Sequence, residues 1–197
     1  MIIGIDEVGR GPLAGPVITS AVLLPPKLKI KKRGLKIKDS KKLTAKQRLQ
    51  WYQWLKTHPQ IKFAVARCQP TTIDRLNISQ AANLASYRAL IRLTHNSKFI
   101  IGKTKILLDG GLKLPSHISH KTIIKGDEKY NAIKLASILA KVTRDKFMEK
   151  KHKLFPQYGF IKHKGYGTKK HIQAIKKHGP CSLHRLTFIS KFVILNS

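Results

Sequence analysis

The stretch GIDEVGRGPLAGPV, Gly4 to Val17, links two short β-branched runs, Met1 to Asp6 and Val17 to Leu24. Its turn holds Gly9, Gly11, Pro12, Gly15 and Pro16. Two apolar runs around such a turn predict two paired strands. The same stretch sets two adjacent acids, Asp6 and Glu7, directly ahead of Gly9-Arg10-Gly11. Neighbours in a regular strand face opposite ways, so both acids can serve one site only if the pleat breaks there. The glycines that follow allow such a break.

Outward from this pair, Ile61 to Gln69 is a third strand candidate, Lys105 to Asp109 a buried strand, and Lys121 to Lys125 a fifth, short one. Thr44 to His58 has Leu49, Trp51, Tyr52 and Leu55 near helical spacing, with Thr44 as a cap. Ser79 to His95 is an amphipathic helix, and Asn131 to about Phe155 a long one, apolar first and charged later. Thr168 to His178 is opened by Thr168 and closed by Gly179-Pro180. Between strands and helices, Pro25 to Lys42 reads as a long basic loop. The order fits an α/β domain around a mixed sheet, with a helical C-terminal appendage.

The chain of 197 residues carries 40 Lys+Arg against 9 Asp+Glu, a formal net charge of +31. With 42% hydrophobic residues it folds around a core, and its charge points to a polyanion, nucleic acid ahead of a membrane surface. By composition alone, a passive nucleic-acid binder of the ribosomal type is the better fit than an enzyme. No apolar run approaches the ~20 residues that span a bilayer, so a cytoplasmic location is expected. Cys68 and Cys181 form no C-x-x-C pair and read as ordinary thiols. The nine histidines are scattered, and without companion ligands they are expected to be solvated.

Nine acids in so basic a chain can be weighed one by one. Asp6-Glu7 ends the first strand, Asp109 ends the central strand before Gly110-Gly111, and Asp127 follows Gly126 ahead of the long helix. Strand ends followed by glycine-rich loops are where α/β folds place functional groups. Carboxylates gathered in a basic protein suit hard divalent cations, two of which, ~3.5–4 Å apart, drive phosphodiester cleavage. The same spacing also suits caps, turn residues and a surface pair. Asp145 and Glu149, one helical turn apart, read as surface charges, and Asp39 as a turn residue.

Several strings together resemble the bacterial ribonuclease HII family: GIDEVGRGPLAGPV, DSKKL (Asp39 to Leu43), LLDG (Leu107 to Gly110), KGDEKY (Lys125 to Tyr130), ASILAKVTRD (Ala136 to Asp145), YGFIKHKGYGT (Tyr158 to Thr168) and HRLTF (His184 to Phe188). They occur in family order and reach from residue 4 to residue 188. The resemblance implies a ribonuclease-H-like fold, a five-stranded mixed sheet flanked by helices with a C-terminal helical segment. It implies one catalytic domain over residues 1–197, with the core to about residue 145 and a substrate-gripping segment from about residue 146. The implied activity is endonucleolytic cutting of the RNA strand of RNA–DNA hybrids, and nicking 5′ of a single ribonucleotide in duplex DNA. The implied ends are a 5′-phosphate and a 3′-hydroxyl.

By the same resemblance, Asp6, Glu7, Asp109 and Asp127 are the catalytic carboxylates and hold two Mn²⁺ or Mg²⁺ ions. Gly9, Arg10 and Gly11 meet the ribonucleotide, main chain to 2′-hydroxyl and Arg10 to phosphate. Tyr166 packs on the deoxyribose that follows, and Lys41, Lys42 and Arg185 lie near the nucleic-acid backbone. Asp145 is salt-bridged and no ligand, and the protein is a monomer. Two departures from the family pattern, Ser79 and Gly111, touch no implied ligand. The related ribonuclease HIII has Gly-Thr-Gly where this chain has Gly9-Arg10-Gly11, and carries an extra N-terminal domain.

Overall fold

The structure, a computed structural model, describes residues 1–26, 28–31, 34–95 and 104–192. Lys27, Lys32 and Arg33 of the expected basic loop lie outside them. Five strands, β1 (Ile2–Val8), β2 (Val17–Leu24), β3 (Lys62–Cys68), β4 (Lys105–Asp109) and β5 (Lys121–Ile123), form one sheet in the order β3-β2-β1-β4-β5. The β3-β2-β1 half is antiparallel and the β1-β4-β5 half parallel. The helices are α1 (Ala45–Thr57), α2 (Pro70–Leu76), α3 (Ile78–His95), α4 (Gly126–Lys129), α5 (Asn131–Leu154), α6 (Phe160–His163), α7 (Lys169–His178) and α8 (Leu186–Ile189).

The strands and the longer helices fall within a residue or two of their expected positions, and caps mark two of those helices in the sequence. Thr44 and Gln47 form a reciprocal capping box on α1, and Thr168 caps α7 by accepting from the His171 amide. The short helices α2, α4, α6 and α8 have too few residues to show a period, and sequence pattern missed them.

Alternation along β1 divides the core. Ile3 and Ile5 face α3, whose Ala81, Ala82, Ala85 and Ala89 bring that helix close to the sheet. The opposite face packs on α1 and α5 through Val22, Leu24, Trp51, Leu55, Ala132, Leu135, Ala136 and Leu139. Gly4 lies on this second face, where a Cβ would overlap the Ala132–Ile133 peptide. Its lack of a side chain draws α5 against β1, which sets Ser137 of α5 beside Asp6.

A smaller core joins the C-terminal helices to the β1–β2 turn: Leu13 and Ala14 pack with Met148, Tyr158, Phe160, Ile175, Leu183 and Ile189. Each large apolar side chain buried there contributes about 1.5–3 kcal/mol. Helix α5 runs unbroken through residue 145, so the sheet domain and the C-terminal segment share one rigid element.

Candidate active site

Asp6 and Asp109 lie toward the C-terminal ends of neighbouring parallel strands, β1 and β4, where an open α/β sheet presents its crevice. The pleat does not break at Asp6-Glu7 as expected. β1 stays paired with β2 through Glu7–Thr19 and Val8–Ile18, and the chain turns only at Gly9, φ 93°. The two acids still meet one cleft because β4 pairs with β1 no further than Ile5–Leu108, which leaves the edge beyond it open. A cavity of about 200 Å³ lies there, lined by Asp6, Glu7, Asp109, Lys41, Ser137 and Tyr166 among others.

Each carboxylate is held. Asp6 is buried and accepts from the Glu7 amide at 2.7 Å. Asp109 Oδ1 accepts from the Gly126 amide at 2.7 Å, which anchors the start of α4 and with it Asp127, itself buried. Asp39 caps a 3-10 turn at Ser40–Lys42 by accepting from the Lys41 amide. The turn carries Lys41, exposed, with its Nζ 3.6 Å from Asp127, and Lys42, whose Nζ is 3.4 Å from Glu128.

Electrostatics shows what kind of ligand this cluster suits. Burial, then the charges of Glu7 and Asp109, push Asp6 well above the usual carboxylate range, against hydrogen bonds from Ser137 and the Glu7 amide. Burial also raises Glu7, with Arg10 opposing and Asp109 adding to the rise. Asp127 is raised by burial, Asp109 and Asp39, with Lys41 opposing. Within this cluster, Glu7 Oε2 is buried without a hydrogen-bond partner. Crowded, dehydrated carboxylates with a free lone pair fit a hard divalent cation, which would reverse the mutual repulsion. Among the described residues no three of His, Cys, Asp and Glu form a cage that could hold an ion alone. Such a donor set fits an ion of the Mg²⁺ kind, which takes one or two carboxylates and completes its shell with water and substrate phosphate.

Around the cleft, the Gly9–Pro16 turn is fastened from behind by two buried guanidinium groups. Arg185 donates to the carbonyls of Gly9, Arg10 and Gly15, and Arg144 to those of Ala14, Pro16 and Lys164. Burial lowers both, Arg185 to about 9. Here the sequence reading needs correction. Arg185 was expected near the nucleic-acid backbone, but its side chain is fully buried and its donors are turned onto main-chain carbonyls. Its donors serve the glycine-rich turn.

The other expected contacts sit at the surface. Gly11 is exposed, and Arg10 is half-buried, its Nη2 3.0 Å from Ser79 Oγ and its Nη1 3.6 Å from Glu7. Tyr166, 43% exposed, lies in the cleft wall with its ring 5.9 Å from the Arg144 guanidinium. The Leu13 amide donates to the Gly165 carbonyl at 2.8 Å, so the Tyr166 loop and the glycine-rich turn are stitched together across some 150 residues of sequence.

Asp145 pairs with Lys141 at 2.9 Å and Glu149 with Lys164 at 2.9 Å. Sequence reading missed Ser40 and Ser137, whose hydroxyls meet at 2.7 Å beside Asp6, and Arg144. All three lie in the DSKKL and ASILAKVTRD strings, where only the charged neighbours drew notice. It also missed His171 and His184, expected to be solvated and in fact buried. The two thiols are free, and no described helix is long and apolar enough to cross a membrane.

A mixed sheet of this order, with acids toward the ends of two neighbouring parallel strands, is the arrangement of the ribonuclease-H-like fold. Comparison with known proteins carries this further. A family model for ribonuclease HII matches residues 3–191. Ribonuclease HII of Chlamydia trachomatis serovar L2 is 45% identical over 190 residues, 95% of this chain and 81% of that protein. That of Coxiella burnetii is 46% identical over 188 residues, 95% and 88% of the two chains. Among solved structures, the ribonuclease H2 from Pyrococcus horikoshii superposes with a TM-score of 0.75 at 26% identity, over 97% of this chain and 96% of the other. The fold is also that of Bst-RNase HIII, solved in complex with Mn²⁺, with a TM-score of 0.76 at 21% identity over 95% and 66% of the chains. The chain belongs to the ribonuclease HII family and is a ribonuclease H, an endonuclease that degrades RNA in RNA–DNA hybrids.

Proposed function

We propose that this ribonuclease H, acting as a monomer, also nicks duplex DNA on the 5′ side of a single embedded ribonucleotide, leaving 5′-phosphate and 3′-hydroxyl ends. Asp6, Glu7, Asp109 and Asp127 would hold two divalent ions, Mn²⁺ or Mg²⁺, which when bound activate the attacking water and stabilise the leaving 3′-oxygen. The observation that carries the reading is the meeting of repelling carboxylates and Tyr166 in one cleft, with the glycine-rich turn bonded to the loop that carries Tyr166.

Gly11 supports a ribose-reading role. A Cβ built on it meets no protein atom within 4 Å, so packing does not require glycine there. A ligand whose sugar must come close to the main chain does, and the 2′-hydroxyl is what separates RNA from DNA. Arg10, half-buried beside Glu7 and Ser79, would reach a phosphate. Tyr166 would pack on the sugar that follows, where a second 2′-hydroxyl would crowd the ring, so the pair reads an RNA-to-DNA junction. Lys41 and Lys42 extend the basic rim along the duplex.

The test is one gel. A labelled duplex with one ribonucleotide and an all-RNA/DNA hybrid are each incubated with the enzyme, with and without Mn²⁺. Metal-dependent cutting of both is expected, with the nick 5′ of the lone ribonucleotide. Cutting of the long hybrid alone would refute junction reading, and cutting without metal would refute the role given to the acids.

A further inference from the structure

Behind Tyr166 lie two imidazoles that the proposed chemistry does not use. His171 of α7 and His184 are both buried, walled by the rings of Tyr158 and Phe160. A polar ring in such surroundings must satisfy both nitrogens, and the partners here fix which nitrogen carries each proton. His171 Nδ1 is 2.9 Å from the Tyr166 carbonyl, which can only accept, so His171 is protonated at Nδ1 and bare at Nε2. That bare Nε2 faces His184 Nε2 at 3.2 Å, which must therefore carry the other proton. His184 Nδ1 is then free to accept from the Cys181 amide at 2.9 Å. The Cys181 carbonyl, 3.3 Å from the same atom, would suit the opposite tautomer, but that choice would turn a bare nitrogen onto the Tyr166 carbonyl. One directed chain results: Cys181 N–H to His184, His184 to His171, His171 to Tyr166 C=O.

The peptide on the other side of Tyr166 is tied in the same way. His163 stacks on His171 with centroids 4.4 Å apart, accepts from the Gly165 amide at Nδ1 and donates from Nε2 to the Tyr158 carbonyl. The Tyr166 amide donates to the His163 carbonyl, and its own carbonyl also accepts from Thr168. Tyr166 is thus exposed at its ring and tightly held at its main chain. A main chain held so firmly fixes the point from which the ring projects, and recognition by shape requires such an anchor.

We propose that His171 and His184 are positioning residues for junction reading: without touching substrate, they hold the Tyr166 main chain so that its ring meets the sugar at a fixed height. This rests on the junction role given to Tyr166 above. The relay joins that ring to the loop carrying Cys181, so the C-terminal segment serves specificity as well as grip.

Two measurements test it. In the intact protein labelled with ¹⁵N at histidine, ring-nitrogen spectra near neutral pH should show His171 as the Nδ1–H tautomer and His184 as Nε2–H. The same tautomer on both, or a charged ring, would overturn the relay. In kinetics with Mn²⁺, His171→Leu should lower kcat at a single ribonucleotide about tenfold and leave the long hybrid within about twofold. His171→Asn, whose amide can donate to the same carbonyl, should recover most of that loss. Equal loss on both substrates, or no recovery with Asn, counts against the inference, and the spectra decide it even if the Leu variant does not fold. Tyr166→Ala run beside them separates the two readings. If it is selective and His171→Leu is not, the relay alone fails; if it is itself unselective, junction reading fails first.

Discussion

Replacing Arg185 by Met removes the donor from three carbonyls, those of Gly9, Arg10 and Gly15, while keeping much of the side-chain volume. The bonds to Gly9 and Gly15 are buried, so water does not readily take the place of the guanidinium there. Two buried acceptors stripped of a charged donor cost about 1–3 kcal/mol each, and the half-buried Arg10 carbonyl adds less. Relief from holding a dehydrated charge, visible in the lowering of Arg185 to about 9, offsets part of this. A net loss of about 3 kcal/mol results, which in a chain of this length lowers Tm by roughly 10 °C. Arg185→Lys keeps the charge, but one ammonium cannot reach three carbonyls set for a planar fork, so it should recover less than half. Calorimetry reads the stability, and cleavage at a single ribonucleotide should fall along with it because the glycine-rich turn loosens. A Met variant that melts within about 2 °C of the parent, or a Lys variant that matches the parent, would refute the reasoning.

The buried imidazoles make stability depend on pH. His171 and His184 are lowered from 6.5 to about 4, chiefly by burial, so between those values the unfolded chain binds more protons and stability falls as pH falls. From pH 7.5 to 5.5 each ring removes about 1.4 kcal/mol. The raised carboxylates of Asp6, Glu7 and Asp127 pull the other way, so the ring contribution is read as the difference between parent and His171→Asn melting curves. Identical pH slopes for the two would contradict neutral burial of His171. Gly9→Ala and Gly11→Ala should part company. At Gly9, φ is 93° and a Cβ would press on Arg144 and on the Pro16 carbonyl, which costs about 3 kcal/mol. At Gly11 the same methyl meets no protein atom and melting should shift by less than about 0.5 kcal/mol, while cutting at a ribonucleotide drops about tenfold or more. Full activity of Gly11→Ala would remove that glycine from ribose reading.

Much of the fold was legible because its signals are local. The glycine-proline turn after Asp6-Glu7 announced the β1–β2 pair, Thr44 and Thr168 announced their helices, and scarcity made the acids conspicuous. Groups that act through long-range contacts were not legible. Arg185 lies 176 residues from the carbonyl of Gly9 that it holds, and in a chain with 40 Lys+Arg nothing local tells a buried guanidinium from a solvated one. His171 and His184 likewise look like any scattered histidines until folding sets them 3.2 Å apart. Sequence also could not show that Asp6 and Glu7 share a cleft without a break in the pleat, since that depends on where β4 stops pairing with β1.

Asp109 ends β4 with one carboxylate oxygen already committed to the main chain. Its Oδ1 accepts from the Gly126 amide, a bond that the amide oxygen of Asn can keep, so Asp109→Asn removes the charge and spares the fold. Cleavage of a duplex with one ribonucleotide in Mn²⁺ should fall at least about a thousandfold, ~4 kcal/mol of transition-state stabilisation, while the affinity for that duplex stays within about twofold of the parent. Cleavage at the parental rate by a folded Asp109→Asn protein would contradict the metal-holding role of these carboxylates.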